Sequence, residues 1–381
     1  MRFLRENLFF VGLIGATVVI GTVGLIWYFT SDVGEQLRSR KGLSNKLIRL
    51  SGRHTEKVNE GAVKKQGAKI KALEDAVKRD VADSVAFNKT HLPLLKIKAG
   101  GGLPEDAFPI DEKRYADLGL DFVFIKEYKR VLNEMILPAR SDLRRTSLAT
   151  PEEIKQQEAL LKEQFGVKAR EKAIQFLKVK RAGDGLIFIE DGALDRYFTK
   201  ETKASSAKMW EAQVNLWVTR EVLEAIIATN TDVLEQRRKA GTGPVSADVL
   251  SSAVKRLAKI HISEAFALSA AGGGLFGTKG QPGSFTQRFS TADYGVVPYR
   301  FTVVMPPRHV GKLLERLMAR NYHTVVNVAM AQVSPDSAYY YGVEPTMIVN
   351  ISGELLLLLE WVRPLMPPAV AARLPKTAGG A

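Results

Sequence analysis

The chain has 381 residues, of which 45% are hydrophobic and 25% are charged, a balance that excludes a wholly disordered or collagen-like protein. It contains no cysteine, which excludes disulfides, thiolate nucleophiles and cysteine-ligated metal centres. Lysine and arginine number 55 against 41 aspartates and glutamates, giving a formal net charge of +14. This excess favours an anionic partner, which could be lipid headgroups, nucleic acid or an acidic protein.

An uncharged segment near the N-terminus predicts a membrane span. Residues 8–30 carry no charged side chain, and a helix over this range would be about 35 Å long, enough to cross a hydrocarbon core. A cleaved signal peptide has a shorter apolar region and a small-residue cleavage site, whereas this segment ends in Trp27, Tyr28 and Phe29. We therefore predict a short cytoplasmic tail at 1–7 and a retained transmembrane helix at 8–30.

The orientation of this span is less firmly specified than its existence. Basic residues stand on both sides of it, and the group at 38–49 argues for keeping the C-terminal side in the cytoplasm. Long domains nevertheless translocate largely regardless of charge. We favour a cytoplasmic N-terminus, with the bulk of the chain after about Ser31 on the opposite side of the membrane.

Small residues recur within the predicted span. Gly12 and Ala16 lie four residues apart, as do Thr17 and Gly21, a spacing that lets a second helix approach closely. Glycine and alanine are also common in membrane helices that make no such contact. Helix packing through these four residues is therefore a hypothesis.

Residues 31–90 contain no proline and show a narrow apolar stripe, which indicates a long helix or coiled coil. Glycines interrupt the stripe, so the coiled coil is expected to be broken or weak, and a solvated helix that pairs with nothing is the alternative. The residues predicted to pair are Leu43, Leu47, Leu50, Ile70, Leu73 and Val77.

Residues 91–204 are predicted as a linker followed by a mostly helical region of unassigned fold. Glycine and proline cluster between residues 99 and 109, which is typical of a loop. Helical patterns follow at 124–136, at 151–164 behind the cap-forming Thr150, and at 168–179. A short apolar run at 186–189 could be a strand.

Residues 205–363 show the clearest pattern in the chain. The first unit is a helix at 205–238 followed by strands at 254–262 and around 299–305. The second unit is a helix with Val310, Leu313 and Leu317 on one face, followed by strands at 324–333 and 345–357. Two helix–strand–strand units most economically form a four-stranded antiparallel sheet with both helices on one face. We therefore predict an α+β domain of ferredoxin-like αββαββ type, with a Gly-rich insertion at 264–295 and a flexible tail at 364–381.

No motif indicates catalysis or cofactor binding. The glycine cluster at 272–279 lacks the lysine position of a phosphate-binding loop, and the five histidines show no metal-ligand spacing. The basic cluster at 168–181 has few interleaved aromatic residues, so a solvated helix is favoured over a nucleic-acid site. We expect no enzymatic activity, cofactor, metal, nucleic acid or small-molecule substrate.

The order of a short tail, one span, a coiled coil and αββαββ resembles the PilO-like inner-membrane proteins of type IV pilus machines and the related M-type component of type II secretion. The segment RFTVVMPPRHVGKLLERLMARNYHTVVNVAMAQV, residues 300–333, is similar to the second half of that domain. The resemblance implies a non-enzymatic single-pass scaffold in the bacterial inner membrane, mostly periplasmic. It also implies contact with membrane lipid and a homodimer, or a heterodimer with a PilN-like protein. The alternative is a membrane-anchored periplasmic binding or sensor module.

Overall fold

The computed structural model describes most of the chain from residue 60 onwards. The described residues are 22, 39–43, 60–97, 106–110, 120–136, 142–190, 192–194, 197–198, 203–241, 247–262, 286, 288, 290–334, 341–342, 344–372 and 374. The chain divides into two compact units, Met1–Lys78 and Arg79–Ala381. Among the helices within the described ranges, none is both long and apolar enough to cross a bilayer. The span predicted at 8–30 lies outside these ranges except for Thr22.

The long helix predicted within 31–90 is present in its second half. Helix α1 covers Glu60–Thr90, and the short described piece at 39–43 is also helical. Most side chains from Val63 to Thr90 of α1 are exposed, so nearly every position of this part of the helix contacts water.

The described ranges from residue 60 to residue 374 contain eight α-helices, six strands and three short 3₁₀ helices, at Gly166–Lys168, Pro307–His309 and Arg363–Leu365. In chain order the α-helices and strands are α1 (Glu60–Thr90), α2 (Leu120–Met135), β1 (Arg145–Thr146), α3 (Pro151–Phe165), α4 (Ala169–Asp184), β2 (Ile187–Ile189), α5 (Ser206–Lys239), β3 (Arg256–Ile262), β4 (Tyr294–Met305), α6 (Val310–Arg320), β5 (His323–Gln332), β6 (Met347–Leu358), α7 (Leu359–Val362) and α8 (Pro368–Ala371).

The sheet is mixed and six-stranded, in the order β1-β2-β3-β4-β6-β5. Neighbours among β3, β4, β6 and β5 are antiparallel, as predicted from the two helix–strand–strand units. β4 pairs with β6 along its whole length, from Tyr294 opposite Leu358 to Met305 opposite Met347. The α+β class is therefore confirmed, and the sheet is larger than predicted because β1 and β2 join it in parallel.

The core lies between this sheet and the long helix α5. In β4 the alternating residues Tyr299, Phe301 and Val303 are buried, because successive side chains of a strand point to opposite faces. Helix α5 packs against α6, α2 and β3. It therefore buries apolar residues on more than one side, including Trp210 and Trp217.

The region between residues 91 and 204, predicted as a linker and a mostly helical region of unassigned fold, contributes to the sheet and core of the C-terminal elements. Its described parts supply β1 and β2 to the sheet and share the core of the C-terminal elements. Phe108, for example, contacts Phe124 and Trp210 edge to face, with ring centroids 5.9 and 5.1 Å apart. The glycine and proline residues that predicted a linker are flanked by apolar residues, and burial of those residues ties this region to the core.

Candidate interaction surface

The predicted pairing residues of α1 form an exposed apolar stripe. Ile70, Leu73 and Val77 have 53%, 66% and 58% of their surface exposed, and Val63 and Val81 are exposed as well. Aliphatic side chains gain free energy when they leave water, at about 25 cal/mol for each Å² buried. A row of them along a helix is therefore suited to cover by another helix.

The spacing along this stripe follows a heptad. Val63, Ile70 and Val77 recur every seven residues, and Leu73 lies three residues after Ile70, so β-branched residues occupy the a positions and leucine a d position. Among parallel coiled coils, this combination favours two strands. The other two d positions hold the polar Gln66 and Asp80, and Gly67 beside Gln66 is a poor helix former, so the stripe is short and weak.

Charges beside the stripe are placed for parallel pairing. In this register Lys69 occupies a g position and Glu74 the e position five residues later. In a parallel pair, such a g side chain lies beside the e side chain of the neighbouring helix. Each Lys69 would therefore face a Glu74 of opposite charge.

Asn88 fixes the last turns of α1 on the α+β domain. Its side chain is fully buried, and its Nδ2 donates to Asn321 Oδ1 at 2.7 Å and to the Leu356 carbonyl at 2.9 Å. Its Oδ1 accepts from the backbone N–H of Leu358 at 2.9 Å and from Trp361 Nε1 at 2.8 Å. One amide side chain thus joins the end of α1 to the end of β6 and to α7.

The segment after α1 is held by α5. Gln213 Oε1 accepts from the Leu95 backbone N–H at 2.8 Å. The Pro93 carbonyl accepts from Gln213 Nε2 at 3.3 Å and from Trp217 Nε1 at 2.8 Å. Leu92 and Leu95 are buried in the core, so residues 88–95 are part of the folded domain.

The predicted site residues divide into a described and an undescribed set. Ile70, Leu73 and Val77 share the exposed stripe, and Leu43 is 60% exposed on the short helical piece at 39–43. The other predicted residues lie outside the described ranges: Leu47 and Leu50 of the coiled coil and Gly12, Ala16, Thr17 and Gly21 of the span. Sequence reasoning missed Asn88, because a single asparagine near a helix end has no periodic signal.

A buried polar cluster lies between α5 and the start of β5. Tyr299 Oη and His323 Nδ1 are 2.9 Å apart, and Glu221 Oε2 lies 3.7 Å from His323 Nε2 and 3.3 Å from Arg320 Nε. Burial lowers the pKa of His323, against the opposing effect of Glu221. The side chains of Glu221 and His323 have no exposed surface, so a substrate has no direct access to them.

Lys255 is a second buried charged residue. Its Nζ donates to the carbonyls of Val249 and Leu250, at 3.1 and 2.8 Å. Burial lowers its pKa from 10.5 to about 8, and the nearby Glu344 opposes this shift. These bonds hold the turn that precedes β3.

A cleft of about 280 Å³ opens beside the segment that follows α1. Its walls are mainly apolar, with three basic residues and no acidic residue among them. The lining residues are Pro93, Leu94, Leu95, Lys96, Arg130, Val131, Gln213, Leu216, Trp217 and Arg220.

Comparison with known proteins finds similarity among solved structures alone. No protein-family model and no curated protein matches the chain. The core region of PilO from the type IV pilus system of Pseudomonas aeruginosa matches at 12% identity and a TM-score of 0.18, covering 33% of this chain and 91% of that one.

Two structures from Akkermansia muciniphila match larger parts of the chain. A crystal structure matches at 9% identity and a TM-score of 0.28, over 64% of this chain and 96% of that one. A structure solved without its transmembrane region matches at 9% identity and a TM-score of 0.27, over 60% and 95%. The structures that match this chain thus include the core region of a PilO protein, at low identity and low TM-score.

Proposed function

We propose that this chain is a non-enzymatic, single-pass scaffold protein of the bacterial inner membrane, PilO-like in kind. It would help to assemble or align a type IV pilus or type II secretion-like machine by pairing with a second membrane protein. The observation that carries the proposal is the exposed apolar stripe of α1, formed by Val63, Ile70, Leu73 and Val77. A stripe of this kind gains stability when another helix covers it.

Two kinds of partner fit the stripe: a second copy of this chain, or a PilN-like protein with a similar membrane-proximal helix. The placement of Lys69 and Glu74 in the heptad supports a parallel pair, because opposite charges at g and e positions attract across such an interface. Parallel helices also suit two proteins anchored on the same side of one membrane.

We further infer that the α+β domain has a ferredoxin-like arrangement. The strand order β3-β4-β6-β5 and its antiparallel neighbours support this inference. So does the packing of α5 against α6. In this arrangement the domain would be a second pairing element beyond the helix.

The proposed location rests on the sequence. Residues 8–30 are uncharged and long enough to span a bilayer in contact with lipid, and the N-terminal tail would lie in the cytoplasm. The folded domain would then occupy the periplasm. A chain without cysteine is compatible with that compartment, since oxidation there has no thiol to attack.

The stripe is tested by placing charges on it in the full-length chain. A tagged copy of the chain is isolated from membranes, and the amount of partner polypeptide isolated with it is measured. We expect Ile70→Glu, Leu73→Glu and Val77→Glu together to reduce this amount by about tenfold or more. A loss of about 1.4 kcal/mol in binding free energy already gives a factor of ten. The partner polypeptide measured is either a second copy of this chain or a PilN-like protein. The physical reason is that the three carboxylates would have to be buried or brought together.

The matched control places three glutamates on other exposed apolar positions. Leu160, Phe176 and Val179 of α3 and α4 are 74%, 52% and 65% exposed. Leu160→Glu, Phe176→Glu and Val179→Glu should leave co-isolation unchanged. The proposal would be contradicted if both triple variants lost the same amount of co-isolated partner, or if neither lost any.

The cleft favours a second candidate, a membrane-anchored periplasmic binding or sensor module. Its mainly apolar walls are suited to a small apolar ligand. Recovery of the chain from membranes as a monomer carrying such a ligand would favour this function over the scaffold.

A further inference from the structure

The outer side of β5 is an open edge of the sheet. β5 ends the strand order, and among the described residues no strand pairs with it other than β6. A register shift between Val325 and Asn327 divides the strand. Before this shift, Arg288 Nη1 donates to Thr324 Oγ1 at 3.3 Å. Within the described ranges, the regular part with no neighbouring element on its outer side is therefore Asn327–Gln332.

Side chains of this six-residue part are unusually accessible for a strand. Asn327, Ala329, Met330, Ala331 and Gln332 are all exposed, and Val328 is half-buried. Met330 has 46% of its surface exposed although its position pairs with the fully buried Val349 of β6. An accessible strand with open backbone donors and acceptors is a template for another strand.

Two usual protections of a sheet edge, charged side chains and proline, are missing from this part of β5. Edge strands are commonly blocked by charged side chains, proline or extreme shortness. No Asp, Glu, Lys, Arg or Pro occurs from Asn321 to Ser334. The other end of the sheet differs, because β1 is two residues long and carries Arg145, whose Nε donates to the Ile189 carbonyl at 2.6 Å.

We infer that Asn327–Gln332 pairs antiparallel with the same strand of a second copy, which joins the two sheets across a two-fold axis. The charge distribution favours a second copy here. The chain carries +14 overall, so most of its surface repels an identical molecule, whereas this neutral strand brings no like charges together. This contact adds to the pairing proposed for α1, and at six residues it is too short to retain a second copy through isolation from membranes without that pairing.

Symmetry and side-chain chemistry select the register. The two-fold axis runs perpendicular to the sheet between the two copies of β5. Residues that face each other across a strand pair project to the same side of the sheet. The axis therefore passes between one residue and the same residue of the second copy. With Ala329 at that centre, each Val328 lies opposite Met330 of the second copy, and Asn327 lies opposite Ala331. Val328 and Met330 share the core face, since they pair with Ile351 and Val349 of β6. The register thus covers the exposed Met330 with an aliphatic side chain.

Single cysteines introduced into the full-length chain test this register. The chain has no cysteine of its own, so every disulfide between two copies forms at the introduced position. Ala329→Cys should form a disulfide-linked dimer on mild oxidation in detergent micelles, since counterparts at the axis lie within the roughly 7 Å between Cα atoms that a disulfide tolerates. Ala331→Cys is the matched control, with the same residue type on the same face of the same strand. Its counterparts would be about 14 Å apart at about 3.4 Å per residue.

We expect at least about tenfold more linked dimer for Ala329→Cys than for Ala331→Cys, because the second separation is about twice what a disulfide can bridge. Equal linkage at both positions, linkage favouring Ala331→Cys, or linkage at neither would overturn the inference. So would linkage of Ala329→Cys to a different protein in membranes. Ile70→Cys reports pairing of α1 separately, so the two contacts can fail independently.

Discussion

At the scale of single residues, Asn88 has the clearest structural consequence. Its amide satisfies groups from β6, α7 and the turn before β5, namely Leu356, Leu358, Trp361 and Asn321. Phe87 beside it contacts the Tyr322 ring edge to face, with centroids 5.1 Å apart. The two side chains make residues 87–88 a junction between a helix and the folded domain.

Replacing Asn88 by alanine should lower the free energy of unfolding by about 3 kcal/mol, because several buried donors and acceptors lose their partner at once. Urea unfolding followed by tryptophan fluorescence measures this directly, since Trp361 is one of the donors. Asn133→Ala, at an exposed position of α2, is the control and should change stability by less than about 0.5 kcal/mol. Similar losses in both variants would show that the Asn88 bonds contribute little.

Lys255 should make stability depend on pH in the alkaline range. Its pKa is about 8 in the folded chain against a usual 10.5, so between these values the unfolded chain binds a proton that the folded chain does not. Stability attributable to this group therefore rises from pH 8 to pH 10.5, by roughly 3 kcal/mol. Lys255→Met should lack this rise, measured as the difference between the two curves of unfolding free energy against pH. Parallel curves would contradict the buried, proton-releasing state of this lysine.

At the scale of elements, strong local patterns were predictable from the sequence. The stripe of Val310, Leu313 and Leu317 predicts α6, which is observed at Val310–Arg320. Thr150 predicts the start of α3, and the structure shows its Oγ1 accepting from the Glu153 backbone N–H at 3.2 Å. Such elements are predictable because capping and periodicity depend only on neighbours in the chain.

Elements that depend on distant partners were not predictable in the same way. β1 has two residues, Arg145 and Thr146, too few to show any periodicity. Ala107 and Phe108 follow a glycine- and proline-rich stretch that predicts a loop, yet both are buried. Their burial depends on α2 and α5, whose approach no local pattern encodes.

The candidate site shows the same division. The spacing of Ile70, Leu73 and Val77 predicts an apolar stripe on α1, and the three side chains are exposed within the described ranges. Pairing through this stripe stays a prediction. The open edge of β5 required the strand order, because the sequence alone does not say which strand ends a sheet.

At the scale of the whole molecule, two surfaces with exposed aliphatic side chains are candidates for association. A chain with a net charge of +14 resists indiscriminate self-association. Both the stripe on α1 and the outer part of β5 expose aliphatic side chains. Each would be stabilised by a partner that covers it.

The most direct test of the scaffold is the number of polypeptides in each particle when the full-length chain is extracted gently from its native membrane. Native mass measurement in detergent micelles should give particles with at least two polypeptides, either two copies of this chain or one copy with a PilN-like partner. Dissociation on dilution should follow mass action. Particles that hold one copy of this chain and no other polypeptide, at every concentration measured, would contradict the account.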